Sequence, residues 1–204
     1  MSIFPKLPFF FLLIITVPVF AQKLIQLKSP DGNIVFSFKL TEKAPVYQVT
    51  YKGKTLIKDS ELGLTFKENG KFSSNLNMSA ARFSKVDETY DLIVGKTKTV
   101  RNQYREVLIP LSERNGVKRQ INLIVRAFND GLAFRYQLPK QSNWLSYTLL
   151  DENSTFNIAG DPTVHTLLWA NKQYVNSHEG LYHKLPLSQV KNDLLMDMPA
   201  LFEF

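Results

Sequence analysis

RAFNDGLAFRY, running from Arg126 to Tyr136, sets Asp130-Gly131 between two runs of alternating apolar side chains. Period-two alternation on both sides of an Asp-Gly pair predicts a β-hairpin. With Asp130-Gly131 as a two-residue turn, Asn129 faces Leu132 and the register carries outward from there. One face then pairs Leu123 with Leu138, Val125 with Tyr136 and Ala127 with Phe134, all apolar, and belongs to a core. The other face pairs Phe128 with Ala133 and sets Arg126 opposite Arg135. Two facing arginines repel unless carboxylates stand beside them. This face therefore predicts a structural ion-pair network of Arg126 and Arg135 with Glu106, Asp151 or Glu152. A three-residue loop with a bulge would shift the register and remove the opposition.

The same period extends through the chain. SPDG at 29–32 is a turn with proline at its second position. NIVFSFKL follows, with Ile34, Phe36 and Phe38 on one face and Val35, Ser37 and Lys39 on the other. PVYQVTY and KTLIK flank Lys52-Gly53, a second two-residue hairpin. ELGLTF, AARFSKV, TYDLIV, YREVLIPL, INLIVRAF, WLSYTLL and STFNIA continue the strand pattern, and only Pro186 to Met198 leaves room for a helical turn or two. Recurrent turn signals without helices between them predict an all-β fold, a large antiparallel β-sandwich.

The chain has 204 residues, no cysteine and a formal net charge of +7. Without cysteine there are no disulfides, no thiol catalysis and no thiolate metal sites. The basic residues are scattered singly, and the densest segment, Lys96 to Arg119, is interrupted by Glu106 and Glu113. That spacing suits a solvated surface better than a phosphate-binding stripe, so no nucleic-acid partner is expected. Residues 1–21 combine an early lysine, an apolar run from Leu7 to Phe20 and a Val19-Phe20-Ala21 exit. These are the parts of an export signal cleaved after Ala21, with the domain at 22–204 in the periplasm or outside the cell. The run is short and broken by Pro8 and Pro18, so no stable membrane span is expected.

Seven stretches in order resemble the N-terminal domain of glycoside hydrolase family 97. They are SPDGNIVFSF, SELGLTF, YREVLIPL, VRAFNDGLAFRYQLP, LDENSTFNI, HEGLYHKLPLS and DMPALFEF. The resemblance implies a galactose mutarotase-like sandwich that packs on a (β/α)8 barrel in exported α-glucosidases and α-galactosidases. It also implies that Glu203 helps hold calcium in the complete enzyme, although Met198 stands where the family has threonine before the proline. A barrel needs roughly 200 to 250 residues, and the sequence ends at Phe204. The sequence therefore predicts an accessory domain with the catalytic barrel absent, no catalytic residues and no hydrolysis on its own. Calcium wants about six to eight oxygens and Glu203 supplies at most two, so no cofactor is expected for the chain by itself. Its sugar partners, α-linked glucoside or galactoside oligosaccharides, would be met through the complete enzyme.

Sugars are held by aromatic faces with polar groups fixing the hydroxyls. WANKQYVNSHEGLY offers that mixture, with Trp169, His178, Glu179 and Tyr182 as carbohydrate-binding candidates. His178 and His183 flank Glu179 at a spacing that is not a helical zinc motif. A free-standing carbohydrate-binding module and a ligand-free structural sandwich are the alternatives to the accessory-domain reading.

Overall fold

A computed structural model of the chain describes residues 24–170 and 178–204. The expected export signal lies outside these residues. Among them, no helix is long and apolar enough to cross a membrane.

The fold is all-β and antiparallel, as the alternation predicts. The first sheet joins β1 (Ile25–Lys28), β2 (Ile34–Leu40), β3 (Pro45–Tyr51) and β4 (Lys54–Glu61) in chain order. A short sheet combines β5 (Leu64–Phe66) and β6 (Gly70–Phe72) with the later β12 (Leu149–Glu152). The second large sheet contains β7 (Leu76–Met78), β8 (Arg82–Asp91), β9 (Thr99–Glu113), β10 (Gln120–Ala127) and β11 (Leu132–Gln137), ordered β11-β10-β9-β7 with β8 also on β9. A C-terminal unit follows. In it β13 (Thr163–Thr166) lies between β15 (His183–Pro186) and β17 (Leu201–Glu203), and β14 (Leu168–Trp169) pairs with β16 (Leu195–Met196). The 186–198 segment holds one 3-10 turn, Leu187–Gln189.

The two large sheets close over one core. Phe36 and Phe38 of β2 meet Val107 and Ile109 of β9 and Leu123 and Val125 of β10, all fully buried. Alternation puts every second side chain inward, and burial of an aliphatic or aromatic side chain contributes about 1.5–3 kcal/mol. The one arginine in this interior is Arg119, the largest fully buried side chain among the described residues.

Two hairpins with similar sequence signals behave differently. At Lys52-Gly53 both residues take positive φ, 48° and 81°, and Tyr51 pairs with Lys54. That is the two-residue turn the sequence predicts. Neither Asp130 nor Gly131 takes positive φ, so the tight turn cannot form there. Phe128 N–H donates to the Gly131 carbonyl at 2.8 Å, and the pairing begins only at Ala127 with Leu132. The Asn129 side chain is used elsewhere, accepting a hydrogen bond from the Asp31 N–H at 2.9 Å. The expected opposition of Arg126 and Arg135 is therefore corrected: Arg126 faces Ala133, and Arg135 faces Ile124. A two-residue shift leaves each side chain on its own face. Leu123, Val125 and Ala127 accordingly remain inside, with Leu132, Phe134 and Tyr136 packed on the core.

The predicted strands WLSYTLL and STFNIA also contract. Only Leu149–Glu152 is strand, and Ile158 makes a single bridge to Ile57. Trp144 turns into the core instead. Its ring stands edge-on to Phe66 at 4.8 Å and lies 4.6 Å from Tyr147. Ring packing there replaces a backbone ladder.

Candidate functional site

Most sequence-selected site residues sit in the C-terminal unit. β13 is central there, with Val164 and Thr166 fully buried, and it carries β15 and β17 on its two edges. Its outward residue His165 faces Lys184 on β15 and Leu201 on β17. Glu203 lies two residues along β17, opposite Thr163, and its carboxylate reaches His165 Nε2 at 3.3 Å and Lys184 Nζ at 3.8 Å. The His165 hydrogen bond first, and then the Lys184 charge, hold the Glu203 carboxyl below its usual range.

A second pair lies on the β14–β16 side. His178, at φ 59°, places Nδ1 3.0 Å from an Asp197 carboxylate oxygen. Asp197 is anchored by its backbone: its N–H donates to the Leu167 carbonyl, and its own carbonyl accepts from the Thr166 hydroxyl. The His178 hydrogen bond lowers the Asp197 pKa most, helped by the Met198 N–H. Trp169 packs edge-on against His178 at 6.2 Å, and a Cβ on Gly180 would touch its ring at 3.7 Å. Its indole N–H is buried without an aligned acceptor among the described residues, yet it lies close enough to help depress Asp197.

The structure thus joins Trp169 to His178. Glu179 and Tyr182 are exposed, Tyr182 at 68%, and neither has an ion pair among the described residues. Asn171 and Tyr174 of the same stretch lie outside the described residues. Asp197, His165 and Lys184 are members that sequence reasoning missed as a group. Strand alternation around β13 could have pointed to His165, but the cross-strand meeting with Glu203 depends on register.

No group of three or more metal-ligating side chains occurs among the described residues. Around Glu203 the neighbours are an imidazole and an ammonium, not oxygens, and calcium coordinates oxygen. The described residues therefore do not fit calcium by themselves.

The remaining ion-pair candidates separate. Arg126 Nε donates to Glu106 at 2.7 Å, and its guanidinium lies 4.4 Å from the centre of the Tyr104 ring. Arg135 is exposed, with no carboxylate partner among the described residues. Glu152 pairs by backbone with Leu64 and stands near Tyr136. Burial pushes the Tyr136 phenol up to about 12, with Glu152 a lesser contributor.

Between the body and the C-terminal unit runs an open groove of about 990 Å³. Ile57, Phe156, Ile158, Met196, Met198 and Phe202 line it, and the surface is mostly apolar. Met198 in its wall is 69% exposed. Met198-Pro199 is a cis peptide bond.

Residues 27–204 match the family model described as Glycosyl-hydrolase 97 N-terminal. The chain is 25% identical to a retaining alpha-galactosidase of Bacteroides thetaiotaomicron, over 97% of this chain and 30% of that one. Among solved structures it is similar to a Glycoside Hydrolase Family 97 enzyme from Pseudoalteromonas sp. strain K8 in complex with panose. That likeness has a TM-score of 0.71 and 25% identity, covering 81% of this chain and 25% of that chain. A beta-arabinopyranosidase is similar at a TM-score of 0.67 and 26% identity, over 78% of this chain and 26% of that chain. The chain thus spans less than a third of each of these relatives.

Proposed function

The chain belongs to the glycosyl-hydrolase 97 N-terminal family, and from that premise we propose that it is the non-catalytic wall of a larger α-glycosidase. In this reading it packs on a catalytic (β/α)8 barrel and completes one side of a pocket for α-linked glucosides or galactosides. The observation that carries the proposal is the open apolar groove between the sandwich and the C-terminal unit, with Met198 exposed in its wall. Apolar side chains left open to water gain free energy when a partner covers them. Trp169, His178, Glu179 and Tyr182 would lie near the mouth of the completed pocket. Glu203 would lend its oxygens to a calcium ion only if the other ligands came from the barrel. Export, from the apolar run Leu7 to Phe20, belongs to the same proposal.

The test is assembly. The chain is mixed with the separately expressed remainder of the Bacteroides relative, and sedimentation and α-galactosidase activity are followed. Complex formation with a gain of activity supports the proposal, and Met198→Asp with Phe202→Asp should abolish it. Failure to associate would sink it. Trp144 and Trp169 are the only tryptophans in the sequence, so fluorescence titration of the chain alone with panose reads the rival. Saturable quenching that Trp169→Phe removes would favour a free-standing carbohydrate-binding module.

A further inference from the structure

Strand β8 pairs with β9 along its whole length and, among the described residues, with nothing on its other side. Beyond Arg105, β9 also leaves β10, so Val86 to Asp91 and their partners form a two-stranded ribbon projecting from the sandwich. The β8 side chains are all exposed but for a half-buried Val86, while on β9 Tyr104 is buried and Val100, Asn102 and Gln103 are half-buried. A two-stranded ribbon is marginal alone in water, and an open strand edge is a template for another strand.

We propose that this edge is a homodimer interface, in which β8 pairs antiparallel with β8 of a second copy about a two-fold axis at Val86. The geometry limits the choices. Two identical strands pair symmetrically only when facing residues both turn their amides outward, so the axis must pass through one residue facing its own copy. An axis at Lys85, Asp87 or Glu88 would put like charges face to face, which is destabilising. An axis at Val86 gives Val86 opposite Val86, Lys85 opposite Asp87, Ser84 opposite Glu88, Phe83 opposite Thr89 and Arg82 opposite Tyr90. Each unlike pair occurs twice by symmetry. Charged edges ordinarily block strand addition, but here the charges match in this one register.

Within one copy, Lys85 stands opposite Arg105, a like-charge pair, and has no ion pair among the described residues. Asp87 already accepts two hydrogen bonds from Arg101, and its carboxyl is held low chiefly by that contact. The second copy's Lys85 would add to Asp87, while its Asp87 would relieve the Lys85–Arg105 repulsion.

The chain has no cysteine, so single introduced thiols report the register directly. Facing residues of an antiparallel pair stand ~4.5–5.5 Å apart at Cα, within disulfide range. Val86→Cys should form a covalent dimer under mild oxidation. Ser84→Cys or Glu88→Cys alone should not, since each lies four residues, ~13 Å, from its own copy; the two mixed together should link. Sedimentation of the unmodified chain should show a concentration-dependent dimer that Val86→Lys loses. A chain that stays monomeric, or cysteines at 84 or 88 that link alone as readily as at 86, would overturn the proposal.

Discussion

Arg119 and Glu203 both anchor charged clusters on sheet strands or beside them, and the two clusters are built on opposite terms. Arg119 is 1% exposed. Its guanidinium donates to both Glu113 carboxylate oxygens and to the carbonyls of Asn69, Gly70 and Lys71, and it lies 5.4 Å from the centre of the Phe66 ring. It is saturated by protein. Glu203 is 64% exposed and, among the described residues, has only His165 and Lys184 within reach, so it retains capacity for another ligand. A buried ion pair survives only when its hydrogen bonds are complete. An exposed one contributes little stability and is free to serve a partner. The inward cluster ties the β6 turn to the main sheet, and the outward one stays open to solvent.

The largest expected effect comes from breaking the buried cluster. Arg119→Leu should cost about 3–5 kcal/mol, since it leaves the Glu113 carboxylate without its cation and three carbonyls unpaired. The urea midpoint reads this, and Arg119→Lys should recover only part, because an ammonium cannot reproduce the fork. Glu113→Gln should cost less, about 1–3 kcal/mol, because the carbonyls still accept from Arg119. A smaller and local effect is expected at Asp197→Asn, which weakens the His178 contact. Amide exchange should quicken at Leu167, Trp169 and Asp197 while the global midpoint barely moves.

The pH dependence has the sign of a depressed carboxyl. Asp197 has a lower pKa folded than unfolded, so its contribution is complete above the ordinary carboxylate range and is lost as pH falls through its own lower value. Protection of the C-terminal unit should hold from neutral pH downward and fall only below about pH 4. The smallest effect is expected at Glu203→Gln, with an unchanged urea midpoint for the chain alone. A substantial loss there would erase the contrast between the clusters and make Glu203 structural.

Much of the architecture was legible in the residues. Alternation in NIVFSFKL and INLIVRAF placed Phe36, Phe38, Leu123 and Val125 inside, because a strand's period is set by covalent geometry. Lys52-Gly53 was legible because its turn is local. Asp130-Gly131 was not, because Asn129 is drawn to Asp31, nearly a hundred residues earlier. Arg119 gave no signal either: a lone arginine between Lys118 and Gln120 reads as surface, and only the approach of β6 and Trp144 encloses it. At the candidate site, Trp169 and His178 were visible as residue types, but Asp197 between them was not.

What the sequence by itself determined was the all-strand class, the inward faces of β2, β10 and β11 and the family, since these follow from side-chain order along the chain. Only the tertiary structure decided which charge is buried, which acid meets which histidine and how the Arg126 hairpin is registered. Those outcomes depend on segments far apart in sequence coming within a few ångströms, and there the hydrogen-bonding needs of buried groups override local preference.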